Sequence, residues 1–122
     1  MSPNRENFLH DWIIEEIEKK FSKEYNEIKV NKINEKKNEF RGFYPDIIFG
    51  NYGQIIMIGE VETESYINEN IIEKWQNLKS LDVGCVIFVP KNKLKDAREL
   101  CWNNQIVERL KISTYSVEIP IN

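Results

Sequence analysis

Apolar residues in the first segment recur at helical spacing. Between Asn4 and Tyr25, the residues Phe8, Leu9, Trp12, Ile13, Ile17 and Phe21 fall on one broad face, which predicts an amphipathic helix. Ile28 to Ile33 then alternates Ile or Val with Lys or Asn, the pattern of a half-exposed strand, and the Asn-Glu-Lys-Lys-Asn run from Asn34 to Asn38 is a turn. Two apolar runs, Phe40 to Phe49 and Gln54 to Thr63, flank Gly-Asn-Tyr-Gly and predict a hairpin. Pro45 leaves its strand unpaired or bulged at that point. Asn68 to Leu81 is helical, with Ile71, Ile72, Trp75 and Leu78 on one stripe. Cys85 to Val89 is an unbroken apolar run between Gly84 and Pro90, as expected of a strand covered on both faces. Lys91 to Asn104 repeats Leu94, Ala97, Arg98 and Cys101 at helical intervals, and Ile112 to Ile119 is a last strand. The order α-β-β-β-α-β-α-β predicts an α/β fold, a mixed central sheet flanked by helices, in one domain spanning residues 1–122. The strand-helix-strand step places Cys85–Val89 parallel to the second hairpin strand.

Three carboxylates interrupt this pattern where it reads as core: Asp46 in the first hairpin strand, Glu60 and Glu62 in the second. Glu60 and Glu62 share a face because strand side chains alternate. Asp46 joins them only if the hairpin register is odd. A three-residue loop, Asn51-Tyr52-Gly53, meets that condition, with Gly53 supplying the left-handed position. Asp46 then lies opposite Ile58 and diagonal to Glu60, roughly 7–8 Å away. A two-residue loop turns Asp46 to the other side. Acids gathered on a buried face repel and are costly to desolvate, and a hard divalent cation with oxygen ligands removes both costs. Surface acids at an exposed strand end are the plainer alternative.

Composition narrows the class. The 122 residues, 41% hydrophobic and 30% charged, suit a soluble globular domain. No apolar run is long enough to span a bilayer, and the polar N-terminus lacks the apolar stretch of a signal peptide, so a cytoplasmic location and no membrane partner are expected. Cys85 and Cys101 read as reduced packing residues. The net charge of −3 argues against strong nonspecific nucleic-acid binding. Eight basic residues fall between Lys19 and Arg41, either as a solvated face or as a stripe facing phosphates.

The run Pro45-Asp46, followed on the next strand by Glu60-Val61-Glu62 and then by a helix, a buried strand and another helix, resembles the PD-(D/E)XK nuclease superfamily. The order of elements agrees over nearly the whole chain, and the motif itself is five residues. The resemblance implies a restriction-endonuclease-like fold and Mg²⁺- or Mn²⁺-dependent hydrolysis of a phosphodiester in nucleic acid, DNA foremost. It implies Asp46, Glu60 and the Val61 carbonyl as metal ligands. Glu62 stands where the superfamily has Lys, so it becomes a further ligand or orients the attacking water. Lys74, beside the apolar stripe of the following helix, either supplies the missing lysine or lies on the surface, and Gln76 corresponds to a glutamine of exonuclease-like members. Members also add an acid from the first helix. Glu16, between Trp12 and Ile13 on the helical wheel, is the candidate, whereas Glu15 points away. His10 lies near the edge of that face and reads as packing or surface. So small a domain works as a homodimer or with a partner protein. The absent motif lysine and the acidic total sustain an alternative, a catalytically inactive nuclease-like module that binds protein or nucleic acid.

Overall fold

Helical periodicity is realised from Pro3 to Phe21 (α1), but on a face rotated from the one the largest side chains suggest. The buried positions are Glu6, His10, Ile13, Ile14 and Ile17, while Phe8 stays 75% exposed. A computed structural model describes residues 3–106, 108 and 110–117. After α1 come β1 (Glu27–Val30), β2 (Ile47–Asn51), β3 (Gln54–Val61), α2 (Ile72–Lys79), β4 (Gly84–Pro90), α3 (Leu94–Asn103) and β5 (Leu110–Tyr115), with single 3₁₀ turns at Glu64–Tyr66, Glu69–Ile71 and Lys91–Lys93. The order is the predicted one. β1 is shorter than expected, the Phe40–Tyr44 stretch contributes only an isolated bridge between Phe40 and Phe43, and the predicted continuation of β5 to Ile119 runs beyond the described residues.

The five strands form one mixed sheet in the order β1-β2-β3-β4-β5. β1, β2 and β3 are antiparallel neighbours, whereas β3, β4 and β5 run parallel. β4 sits between two partners, and its residues Cys85 to Val89 are all buried, as an unbroken apolar run requires. Ile13, Ile14 and Ile17 of α1 pack on Ile47, Phe49, Val61, Val86 and Phe88. On the opposite face, Trp75 and Leu78 of α2 and Ala97 and Cys101 of α3 pack on Ile48, Ile58, Ile87 and Val89. Both cysteines are free and buried, and burial pushes the Cys85 thiol up to about 12, so it stays protonated and packs as a small apolar group.

The β2–β3 hairpin differs from the expected one. Asn51 pairs directly with Gln54, so the turn is the two residues Tyr52 and Gly53, both with positive φ. The register then slips between Gly50↔Ile55 and Phe49↔Met57, leaving Ile56 as an extra residue in β3. This bulge restores the parity that a two-residue turn alone would reverse. Beyond the Ile47↔Gly59 pair, Asp46 stands across from Glu60 rather than diagonal to it. The turn is tied from outside: Asn26 Oδ1 accepts from the Tyr52 N–H, and Glu27 Oε1 accepts from the Gly53 N–H.

Gly50 sits at the slip, and a Cβ there would lie 2.9 Å from the Gln54 carbonyl oxygen. That neighbour is backbone and cannot step aside without disturbing the turn. Gly50→Ala should therefore destabilise the fold by about 1–3 kcal/mol in urea unfolding. A variant as stable as wild type would show that the hairpin tolerates another register.

Candidate functional site

The ends of β2 and β3 bring Asp46 and Glu60 together. The Asp46 N–H donates to Glu60 Oε2 at 3.3 Å, and Asp46 Oδ2 accepts from the Val61 N–H at 2.8 Å. Asn31 fixes the segment that carries Asp46. It is buried, its N–H donates to the Asp46 carbonyl, and its Nδ2 donates to the carbonyls of Pro45 at 2.7 Å and Asn38 at 2.8 Å. Its Oδ1 accepts from the N–H groups of Lys37 and Asn38. An asparagine just past β1, with its N–H and both side-chain polar atoms engaged, locks the loop that leads into Pro45-Asp46.

His10 enters this site from α1. Its Nε2 donates to Asp46 Oδ2 at 2.9 Å, and its Nδ1 lies 3.0 Å from Asp11 Oδ1. Burial alone would lower the imidazole pKa, but the hydrogen bonds and charges of Asp46 and Asp11 outweigh it and hold His10 above its ordinary value. The Asp46 carboxyl is driven up by burial, yet the His10 hydrogen bond and the other contacts around it hold it below the usual range. Glu60 goes the other way. Burial first, and then the Asp46 charge, raise it well above an ordinary glutamate, against the opposing pull of Lys74. Facing carboxyl groups thus divide, Asp46 favouring its charged form and Glu60 keeping its proton to higher pH than an ordinary glutamate.

Lys74 reaches the site from α2. Its Nζ lies 2.9 Å from Glu62 Oε1 and 4.0 Å from Glu60 Oε2. Burial would lower its pKa, but Glu60, Glu62 and Asp46 together raise it, so it stays an ammonium. Glu62 is buried, and its second oxygen accepts from the Trp75 indole N–H at 2.9 Å. The sequence grouped Glu62 with the metal ligands; here both its oxygens are engaged by Lys74 and Trp75. Its carbonyl also accepts from the Tyr115 hydroxyl at 2.8 Å.

Glu16 does not join this cluster. Because α1 buries Glu6, His10 and Ile14 rather than Phe8 and Trp12, Glu16 turns to solvent and pairs with Lys19 at 3.5 Å. Glu6 is the acid of α1 that is buried, and it accepts from both the N–H and the hydroxyl of Ser65 just after β3. Gln76 is exposed on α2. In the basic first third, Lys19, Lys32 and Lys37 are engaged by Glu16, Glu15 and Glu35.

The cluster opens into a cleft of about 350 Å³ lined by His10, Asp46, Glu62, Thr63, Tyr66 and Lys74. Among the described residues, no group of three or more His, Cys, Asp or Glu side chains is arranged to hold a metal ion. Asp46 and Glu60 are the two acids whose oxygens face each other. No described helix is long and apolar enough to cross a membrane. Compared with known proteins, the chain matches no family model, no curated protein and no solved structure significantly.

Two stability predictions follow from these contacts. Glu62→Ala strands the Trp75 N–H and leaves Lys74 with one carboxylate fewer, so it should cost about 2–3 kcal/mol in chemical denaturation. Glu62→Gln keeps an acceptor for Trp75 and should cost about half as much. A gain in stability in either variant would mean that Glu62 is repelled rather than held.

The second concerns pH in metal-free protein. Glu60 is raised from an ordinary value of 4.5, so its contribution is fully present below that value and is lost as pH rises through the folded-state pKa. His10, raised from 6.5, loses its contribution in the same direction at higher pH. Glu60→Gln removes the first loss only. Its stability relative to wild type should therefore increase as pH rises from about 4.5. Parallel stability–pH curves for the two proteins would show that Glu60 is not a strained acid.

Proposed function

We propose that the chain is a metal-dependent nuclease with a restriction-endonuclease-like fold, a PD-(D/E)XK variant in which the lysine comes from α2. The observation that carries this reading is Lys74: its Nζ lies within 4.0 Å of Glu60 and 2.9 Å of Glu62, beside the Asp46–Glu60 pair. A lysine reaching the carboxylates from the next helix supplies the positive charge that Glu62 cannot.

The donor set fits a hard divalent cation. Asp46 and Glu60 offer only oxygen, and a cation between them would offset the burial and the Asp46 repulsion that together raise Glu60. Asp46, Glu60 and the Val61 carbonyl would hold Mg²⁺ or Mn²⁺, with water and substrate oxygens completing the sphere as Mg²⁺ prefers. When bound, such an ion polarises the phosphate and makes bound water more acidic. The other groups act around it. His10 and the Val61 N–H fix the Asp46 carboxylate. Glu62, itself held by Trp75, aims the Lys74 ammonium. Lys74 lines the cleft, where it offsets charge on the phosphate and orients the attacking water. The water oxygen bonds to phosphorus and one P–O ester bond breaks, leaving a phosphomonoester and a hydroxyl. The substrate is nucleic acid, DNA foremost.

One observation favours an inactive, binding-only module instead. Glu62 has both oxygens engaged, and Asp46 Oδ2 accepts two hydrogen bonds, so the acids have protein partners without an ion.

Titration calorimetry with Mn²⁺ separates the readings. The nuclease reading expects binding by wild type, loss of the heat in Asp46→Ala, and Mn²⁺-dependent cleavage of plasmid or single-stranded DNA that falls by about 100-fold or more in Lys74→Ala. Absence of Mn²⁺ heat in wild type leaves the binding module. Cleavage unchanged in Lys74→Ala removes the lysine from the mechanism.

A further inference from the structure

Burying a carboxylate is costly unless its oxygens are hydrogen-bonded. Glu6 of α1 is buried, and Ser65 takes both its oxygens, Oε1 through the N–H at 3.1 Å and Oε2 through the hydroxyl. The Ser65 carbonyl accepts from Asn68 Nδ2 at 3.0 Å, so every polar group of Ser65 is engaged. What these bonds fix in place is the single 3₁₀ turn Glu64–Tyr66. The Tyr66 N–H closes that turn by donating to the Thr63 carbonyl at 3.1 Å. Tyr66 itself is 53% exposed and lines the cleft together with Asp46 and Lys74. An aromatic residue held on a pinned turn, open to solvent beside the acids, offers a flat apolar face to whatever enters.

We propose that the cleft takes single-stranded DNA, with one unpaired base stacked on Tyr66 while the adjoining phosphate lies over Asp46, Glu60 and Lys74. The inference rests on the reading of this cleft as a nuclease site and names the class of its substrate. The acids are recessed, with Glu60 only 6% exposed and Val61 buried beside it. The cleft, at about 350 Å³, is at the small end of pockets that hold one small molecule, so it has room for a nucleotide and none for two paired strands. Charge also favours a single strand. A duplex is gripped chiefly through several phosphate contacts. Lys74 is the one lysine or arginine among the residues lining the cleft, and it already faces Glu60 and Glu62. Stacking supplies what charge does not. In a duplex the base faces are hidden within the stack, whereas an unpaired base exposes them to an aromatic ring. Ile33 and Ile71, in the same cleft, add apolar surface. A second exposed ring, Tyr44, lies two residues before Asp46 with Lys36 Nζ 5.8 Å from its centre, so a ring and a cation stand where the chain enters the site. Rings combined with cations are the components from which single-strand tracks are built.

Fluorescence anisotropy of the full chain tests it, with a short labelled oligodeoxynucleotide that is either single-stranded or annealed to its complement. Salt is held constant, and Ca²⁺ replaces Mn²⁺ so that binding is read apart from cleavage. Wild type should bind the single strand about tenfold or more tighter than the duplex. Tyr66→Ala should weaken single-strand binding by about tenfold, and Tyr66→Phe, which keeps the ring, should retain it. Ser65→Ala should weaken it less and should add nothing in a Tyr66→Ala background, because Ser65 acts through Tyr66. Tyr66 is exposed, so Tyr66→Ala should melt as wild type does. Equal affinity for the two forms, no binding of the single strand, or binding that Tyr66→Ala leaves unchanged overturns the proposal. Cleavage in Mn²⁺ separates this outcome from the nuclease reading. A wild type that cuts both forms alike keeps the nuclease and overturns the single-strand platform. A wild type that binds the single strand through Tyr66 and cuts neither form keeps the platform and overturns the nuclease.

Discussion

Two carboxylates facing each other at a covered strand end are the constraint around which the rest of this protein is arranged. At about 4 Å and an effective dielectric near 20, two like charges repel by about 4 kcal/mol, a large part of a small domain's stability. The molecule answers from three directions. From α1, His10 donates to Asp46. From the backbone, the Val61 N–H does the same. From α2, Lys74 balances Glu60 and Glu62, and Trp75 keeps Glu62 in place to hold it. Remove any one and a buried carboxylate loses a partner that the others do not replace. What is left uncompensated falls on Glu60, which burial and then the Asp46 charge hold well above an ordinary glutamate.

Much of the fold was legible because its signals are local. The run Val86-Ile87-Phe88-Val89 can only be a covered strand, and it lies at the centre of the parallel half of the sheet. The shared face of Asp46 and Glu60 was also legible, although the route to it was not. The expected three-residue loop is a two-residue turn plus an extra Ile56, and these give the same parity. Ile55-Ile56-Met57-Ile58 is uniformly apolar, so nothing in the pattern marks which residue is surplus. The rotation of α1 was hidden for a different reason. Phe8 and Trp12 outweigh Glu6 and His10 in any hydrophobic count, yet the polar pair is buried because its partners, Ser65 and Asp46, wait on distant elements. Contacts 36 to 59 residues apart leave no periodic trace. Asn31 was missed likewise: its alternating neighbours read as strand, and its role depends on loops that the pattern cannot place.

The exchange of charge between Glu62 and Lys74 is best understood as one unit. Glu62, just past the end of β3 and two residues from Glu60, adds a third carboxyl group to a buried site, which the strand end could not tolerate alone. Lys74, on α2 beyond two short 3₁₀ turns, lies close enough to neutralise it, and Trp75 at the next position satisfies the second oxygen. A lysine on the strand and an acid on the helix would give the same sum of charges. The arrangement found here differs in that the ammonium sits on a helix at the cleft wall, partly open to solvent, while its partner is buried. A cation placed this way faces whatever enters the cleft, whereas both Glu62 oxygens are already held by Lys74 and Trp75.

The same economy explains why one side of the sheet remains open. Five strands are about 24 Å wide and a single helix is about 10 Å across, so α1 alone cannot cover its face of the sheet. It is centred on β2 to β4, where Ile47, Phe49, Val61, Val86 and Phe88 form the core and where the helix also delivers His10 to the site. β5 is left beyond its reach, with Ser113 and Thr114 partly exposed beside a groove. Moving α1 outward to shield β5 would withdraw His10 from Asp46 and return its carboxylate to burial without a cationic partner. The site therefore fixes the position of α1, and the position of α1 leaves the edge uncovered. The open edge is thus a consequence of where the acids are.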